Sequence, residues 1–314
     1  MSNLTSVLLL LTAAVSCSYD WDQFDPRLAG GGGTSGQGAA AASGGNGQGG
    51  ASTSSVGGSG GSGASGGAPA QLVDDGLLAR YFLAEAESGT APTEAVDAAP
   101  NPLALPILQD PVMSYVTEDG HRGLHWTVAG EPGGPRLPIL DTKILDLDGV
   151  SAATIETVAR IEEASVSGSR LVHVGVDSSW HVSLGVASAA LIDVPIHFSF
   201  GINTALGSAS ANFPADFTAG RMVVHAVFDS TRAVAAERMR VYVNGVALSA
   251  DMGAAFPVQD DVVSLDGTQA IALGNRLING RSIHGTLFYG AYYLVAFDDA
   301  QIAHNVSILL ASDD

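Results

Sequence analysis

Residues Arg238–Leu248 read RMRVYVNGVAL. An apolar run halts for an asparagine and a glycine and then resumes. Both residues of a two-residue hairpin turn need positive φ, which Asn tolerates and Gly adopts freely, so Asn244-Gly245 between two alternating runs specifies a β-hairpin. Such a turn sets Val243 opposite Val246, Val241 opposite Leu248 and Met239 opposite Ala250, an apolar face. The other face is mixed, with Tyr242 opposite Ala247, Arg240 opposite Ser249 and the opposite charges of Arg238 and Asp251 facing each other. One apolar and one mixed face is the pattern of an antiparallel sheet resting on a core.

Outward from the hairpin, the chain after residue 71 reads as short apolar runs punctuated by turn residues. Strands are expected over 77–85, 112–116, 124–128, 154–161, 171–176, 181–187, 196–202, 221–228, 270–274 and 287–297. RMVVHAVFD (221–229) and TLFYGAYYLVAF (286–297) are apolar on both faces and read as central strands. Helical periodicity is confined to the end, where Asp298 or Asp299 can cap a turn through residues 300–304 that folds Ile302 back on the sheet. The fold class is therefore all-β, a two-sheet antiparallel jelly-roll sandwich over 71–314.

The segments before residue 71 differ in kind. Residues 1–16 have the apolar centre and small-residue end of a secretory signal, too short to span a bilayer. Ala14-Val15-Ser16-Cys17 resembles a bacterial lipobox, although Ala stands where Leu is usual and no Lys or Arg precedes the apolar region. That resemblance implies acylation of Cys17, export, and attachment to the bacterial outer membrane or cell surface; the alternative is a plain signal peptide with an incidental cysteine. Cys17 is the only cysteine, so disulfides cannot hold the module and a sizeable core must. After a short segment, 17–28, the tract 29–70 carries 18 of the 39 glycines and no apolar period. It reads as a flexible linker spanning roughly 35 Å. Its matches to GxGxxG (45–50) and GxSxG (57–61) neither follow a strand nor open a helix, and carry no chemistry.

The order of the later pieces is itself informative. GLLARYFLAE (76–85), VVHAVFD (223–229), the YVNG hairpin, IALGNR (271–276), GTLFYGAYYLVAF (285–297) and DDAQIAHN (298–305) together resemble the laminin-G-like branch of the concanavalin A-like lectin/glucanase superfamily. The resemblance spans most of 75–314. It implies two antiparallel sheets with one concave face, and a carbohydrate or extracellular protein partner bound at that face or at a rim, often with calcium.

The residues themselves argue against several functions. A net charge of −19 with only 13 Lys and Arg leaves no basic stripe for nucleic acid. Glucanases of the superfamily resemble one another in a Glu-x-Asp-x-x-Glu strand. Here the nearest acidic alternation, Asp146-Leu147-Asp148, runs into Gly149, so the module is expected not to be an enzyme. A three-residue loop after HVGV would set His173 across from His181, close enough to share a metal or proton, whereas a four-residue loop would not. Trp180, in the same turn region, is the candidate ligand-binding residue as an exposed ring on which a sugar stacks; the alternative is a lid on the core, and Trp126 reads as core. Asp97, Asp177, Asp260, Asp261 and Asp266 are rim acids available to calcium. Asn305-Val306-Ser307 matches a glycosylation acceptor, incidental in a bacterial protein. The expectation is an exported, lipid-anchored surface protein whose sandwich binds a carbohydrate or protein. The alternatives are a glycan-active hydrolase on the same fold and a purely structural envelope protein.

Overall fold

The computed structural model describes residues 71–311 apart from 91–92, 165–167, 177–178, 188–195, 218–219 and 279. The expected signal over 1–16, Cys17, the expected linker over 29–70 and Asp177 lie outside the described residues.

The strands, in chain order, are β1 (Leu77–Phe82), β2 (Glu94–Ala95), β3 (Leu105–Leu108), β4 (Met113–Glu118), β5 (His121–Trp126), β6 (Gly134–Pro138), β7 (Ala152–Glu163) and β8 (Ser169–Val176). They continue with β9 (Ser179–Ala187), β10 (His197–Thr204), β11 (Gly207–Pro214), β12 (Arg221–Asp229), β13 (Met239–Val243), β14 (Val246–Ala247), β15 (Ala270–Leu273) and β16 (His284–Tyr293), and close on helix α1 (Asp299–Leu309). Sheet I runs β14-β13-β12-β7-β16-β5-β4 with β1 also paired to β16, and sheet II runs β11-β10-β9-β8-β15-β6-β3-β2. The pairings within both sheets are antiparallel. The two-layer antiparallel sandwich is thus the fold.

The hairpin register is as the turn dictates: Val243 pairs with Val246 and Tyr242 with Ala247. Asn244 and Gly245 both have positive φ. Asn244 also accepts from the Val223 amide through Oδ1 at 2.9 Å, tying the turn to β12. Beyond Leu248 the pairing ends. Arg238 and Asp251 do not meet: Arg238 donates to the carbonyls of Arg232, Ala233 and Pro257, and the Asp251 amide turns to Asn212.

Strand β12 shows why both its faces are apolar. Met222, Val224, Ala226 and Phe228 enter the core between the sheets, while Val223 and Val227 belong to a second apolar layer with Ile302, Val306 and Leu309 of α1. The helix therefore covers the outer face of sheet I. Its start is a reciprocal cap, Asp298 Oδ1 accepting from the Gln301 amide at 2.8 Å and Gln301 Oε1 accepting from the Asp298 amide at 3.0 Å.

Beneath the helix lies a buried polar cluster. Glu156 on β7, paired with His225 on β12, is fully buried. Its Oε1 lies 2.7 Å from His225 Nε2 and accepts from Asn305 Nδ2 at 2.8 Å; its Oε2 accepts from the Tyr289 and Tyr293 hydroxyls, each at 2.8 Å. Burial alone would raise this carboxyl's pKa. The hydrogen bond and charge of His225, with the bonds from Asn305 and Tyr289, outweigh it and hold the group below the usual carboxylate range. Arg80 extends the cluster to the two tyrosine hydroxyls and to the Val73 carbonyl, and Asn305 Oδ1 accepts from the Val73 amide. The segment leading into β1 and the last helix are thereby fastened to one carboxylate.

The IALGNR stretch also has a structural reason. Trp126 is fully buried, its Nε1 donating to the Gly133 carbonyl at 3.0 Å. A side chain at Gly274 would collide with its ring. Asn275 then donates to the Glu131 and Gly133 carbonyls and accepts from the amides of Arg276 and Arg281.

Candidate functional site

The outer face of sheet II carries no helix among the described residues, and it is where Trp180 lies. Outward-facing positions of a strand alternate with core positions, so Val182, Leu184 and Val186 of β9 point inward while Ser183 and Gly185 point outward. On β10, Phe198, Phe200 and Ile202 point inward and Ser199, Gly201 and Asn203 outward. Glycines at 185 and 201 leave a flat floor. The Trp180 side chain lies across it, for a Cβ at Gly201 would come 2.6 Å from Trp180 Cβ and one at Gly185 2.9 Å from the far edge of the indole. Trp180 is half-buried. It is neither a core lid nor a fully exposed ring.

Against this ring stands Arg170 of β8, its guanidinium carbon 3.4 Å from the indole centroid. That is close stacking for a cation–π pair. Arg170 is 4% exposed, and its Nε and Nη1 are buried without a hydrogen-bond partner. Among the described residues no carboxylate pairs with it. Burial, reinforced by the positive charges of Arg276 and Arg281, pulls its pKa down to about 9. An arginine so placed still carries its charge at neutral pH, with its Nε and Nη1 donors unpartnered among the described residues.

His173 is the next residue on the same outward row. Its Nδ1 lies 2.8 Å from Ser183 Oγ, and Ser183 spends its single proton on the Val174 carbonyl at 2.9 Å. Nδ1 must therefore carry the hydrogen, which leaves Nε2 as a buried lone pair with no partner. Burial first, then the charges of Arg170 and Arg276 and the nearby His181, hold the His173 pKa well below its ordinary value. Neutral His173 thus offers an acceptor beside the donors of Arg170. Farther out, Ser199, Asn203, Ser208, Ser210 and Asn212 form a polar shelf that is partly or fully open to solvent.

The expected juxtaposition of His173 with His181 is not found. His173 pairs with Ser183, because the register shifts between Val174 and Gly175 and the turn closes Val176 on Ser179. No group of His, Cys, Asp or Glu among the described residues has the geometry of a metal site. The rim acids that are described serve the fold. Asp97 is buried, accepts from the amides of Arg80, Ala99 and Leu103 and pairs with Lys143 at 2.6 Å. Asp261 binds Thr204 and the Val262 amide, Asp266 closes a turn on Thr268 and Gln269, and Asp260 sits at a positive-φ turn position. Asn305 is buried in the Glu156 cluster.

A second charged cluster occupies the uncovered end of sheet I. Arg160 bridges Glu118 and Glu162, and His284 Nε2 lies 3.1 Å from Glu162. His125 accompanies them, its pKa lowered chiefly by burial. Here every charge has a counter-charge. The Arg170 site differs in that no carboxylate among the described residues pairs with its cation.

No protein-family model matches the sequence. No curated protein matches it either. Among solved structures, domain 4 of AbnA, a GH43 extracellular arabinanase from Geobacillus stearothermophilus in complex with arabinotriose, is similar over 73% of this chain and 97% of that one, at 15% identity and a TM-score of 0.46. Trypanosoma rangeli sialidase is similar over 76% of this chain and 34% of its own, at 12% identity and TM-score 0.45. The binding domain of botulinum neurotoxin DC, in complex with SialylT, is similar over 75% of this chain and 52% of that one, at 12% identity and TM-score 0.46. Two of these three come from enzymes, which corrects the expectation that the module is not an enzyme. That expectation rested on one missing carboxylate motif, and the motif speaks only for one branch of sandwich hydrolases. The matches are to β-sandwich domains, the architecture described above.

Proposed function

We propose that the module is a carbohydrate-binding β-sandwich of the laminin-G-like kind, and that its binding surface is the outer face of sheet II around Arg170 and Trp180. The observation that carries this reading is the Arg170–Trp180 stack, with buried N–H groups that find no partner among the described residues. Native structures rarely leave buried donors unpaired, and those that remain call for an explanation such as a ligand. The surroundings suit a saccharide: an indole face, a donor fork, a lone pair on His173 and a shelf of hydroxyl and amide side chains. A carbohydrate is favoured over a protein partner because the described residues of this glycine-floored shelf are mainly polar, whereas protein interfaces depend on large apolar anchors.

We further propose that the chain is exported and held at the bacterial outer membrane or cell surface through acylated Cys17, with 29–70 as the tether. Membrane fractionation of cells making Cys17→Ser tests this: release into the soluble fraction supports the anchor, and unchanged fractionation removes it. The binding proposal is tested with the full chain on a glycan array, alongside Trp180→Ala. Retention of one or more glycans, weakened at least tenfold by the substitution, supports it. Failure to retain any glycan refutes it. A reducing-end assay on the retained glycans reads cleavage in the same experiment.

A further inference from the structure

Of the 13 Lys and Arg residues in a chain of net charge −19, three gather at one corner of sheet II. Arg170 is the second residue of β8, and Arg276 and Arg281 lie in the loop between β15 and β16. Their proximity is held by the backbone, since the Arg170 amide donates to the Arg281 carbonyl at 2.8 Å. Arg281 Nε is buried without a partner, like Arg170 Nε and Nη1. Three like charges gathered in this way repel one another, and the indole stacked on Arg170 covers only the face of its guanidinium. The in-plane Nε and Nη1 donors have no partner among the described residues.

We infer that this corner receives the carboxylate or sulfate of an acidic saccharide, taken by in-plane N–H groups of Arg170 while Trp180 remains stacked on its face. A carboxylate or sulfate oxygen accepts charge-assisted hydrogen bonds from guanidinium N–H groups. It neutralises the charge that Arg276 and Arg281 otherwise oppose, and it leaves His173 Nε2 to accept from a neighbouring sugar hydroxyl. The overall negative charge of the protein disfavours anions at long range, so capture of one requires a site built at short range. This inference rests on the saccharide reading above and names the class of saccharide.

The test uses the full chain in calorimetry against polygalacturonate, alginate, hyaluronate, heparin and polysialate. Each is paired with its carboxyl-reduced or desulfated derivative, and sodium sulfate and a neutral glycan array are run in parallel. The expected result is binding of at least one acidic polymer, lost on neutralising its acid groups and reduced at least tenfold in Arg170→Gln and Arg170→Lys. The comparison between polymer and derivative needs no variant, so it stands even where a substituted chain folds poorly. Binding that is indifferent to neutralisation of the polymer overturns the acidic class while leaving the saccharide reading intact. Binding of neutral glycans alone does the same. A response to free sulfate with none to any polymer shows an adventitious ion only and overturns the inference, and silence toward every glycan refutes both readings.

Discussion

Replacing Glu156 with Gln changes one atom in the buried cluster and should cost about 3 kcal/mol of stability. In the native cluster Oε1 takes His225 and Asn305, and Oε2 takes two tyrosine hydroxyls. An amide can keep its oxygen toward the tyrosines, but its NH2 then faces the Asn305 NH2, and Asn305 cannot flip without abandoning the Val73 amide. One buried donor is stranded, at a cost of about 1–3 kcal/mol. The remaining bonds lose their charge-assisted strength, roughly 1 kcal/mol each, and part of this is returned because no charge is left to desolvate. For a module of this size the loss corresponds to a fall in melting temperature of about 6–12 °C. Urea unfolding at pH 7, followed by intrinsic fluorescence, measures it. The carboxyl's folded pKa lies below its unfolded value, so its contribution is fully present above the unfolded carboxylate pKa and is lost as pH falls through the folded one. The gap between wild type and Glu156→Gln should therefore narrow below about pH 4. A substitution costing under about 0.5 kcal/mol at pH 7, or a gap that widens in acid, would refute the reasoning.

Other positions give shorter tests. Gly201→Ala places a methyl group against Trp180 Cβ and should tilt the indole off Arg170, which glycan titration registers as at least a tenfold loss of affinity and near-ultraviolet dichroism as a changed Trp signal. Asp298→Ala removes the cap of α1 and should lower stability by about 1 kcal/mol in urea. Asn244→Ala forces alanine into positive φ and frees the Val223 amide; a loss of about 2 kcal/mol is expected by the same measurement. His173, with its pKa held well down by burial, should show imidazole chemical shifts that stay constant from pH 8 to about pH 5, where an ordinary histidine titrates.

Much of the sandwich was legible because its signals are local. The Asn-Gly turn sets its own register, and the two runs apolar on both faces are the central strands β12 and β16. Asp298 announces the helix, although the helix runs on to Leu309 because Val306 and Leu309 continue the buried stripe. Other strands hide behind their composition. β3 and β6 contain Pro106, Pro135 and Pro138, which speak against sheet positions, yet both lie near one end of sheet II, where fewer amides need partners. β11, GSASANFP, resembles linker until Ala209, Ala211 and Phe213 are seen to face the core at every second residue. Of the candidate site, Trp180 and His173 stood out in the sequence, though His173 was expected to face His181. A register shift at Gly175 defeats any count of loop residues between His173 and His181. Arg170 gives only a faint signal, a cation opening an otherwise apolar strand. Glu156 and His225 lie far apart in sequence, and only the pairing of β7 with β12 joins them.

The fastening of residues 71–73 to the last helix bears on how the module resists a pull. His304 Nε2 lies 2.8 Å from the Gln71 carbonyl oxygen, Asn305 holds the Val73 amide, and Arg80 holds the Val73 carbonyl. Tension arriving along the polypeptide ahead of Gln71 meets these three side chains before it reaches any strand of the sandwich. The helix and Arg80 act as a clip at the point of strain, so load applied from that side must open the clip before it can peel β1 from β16.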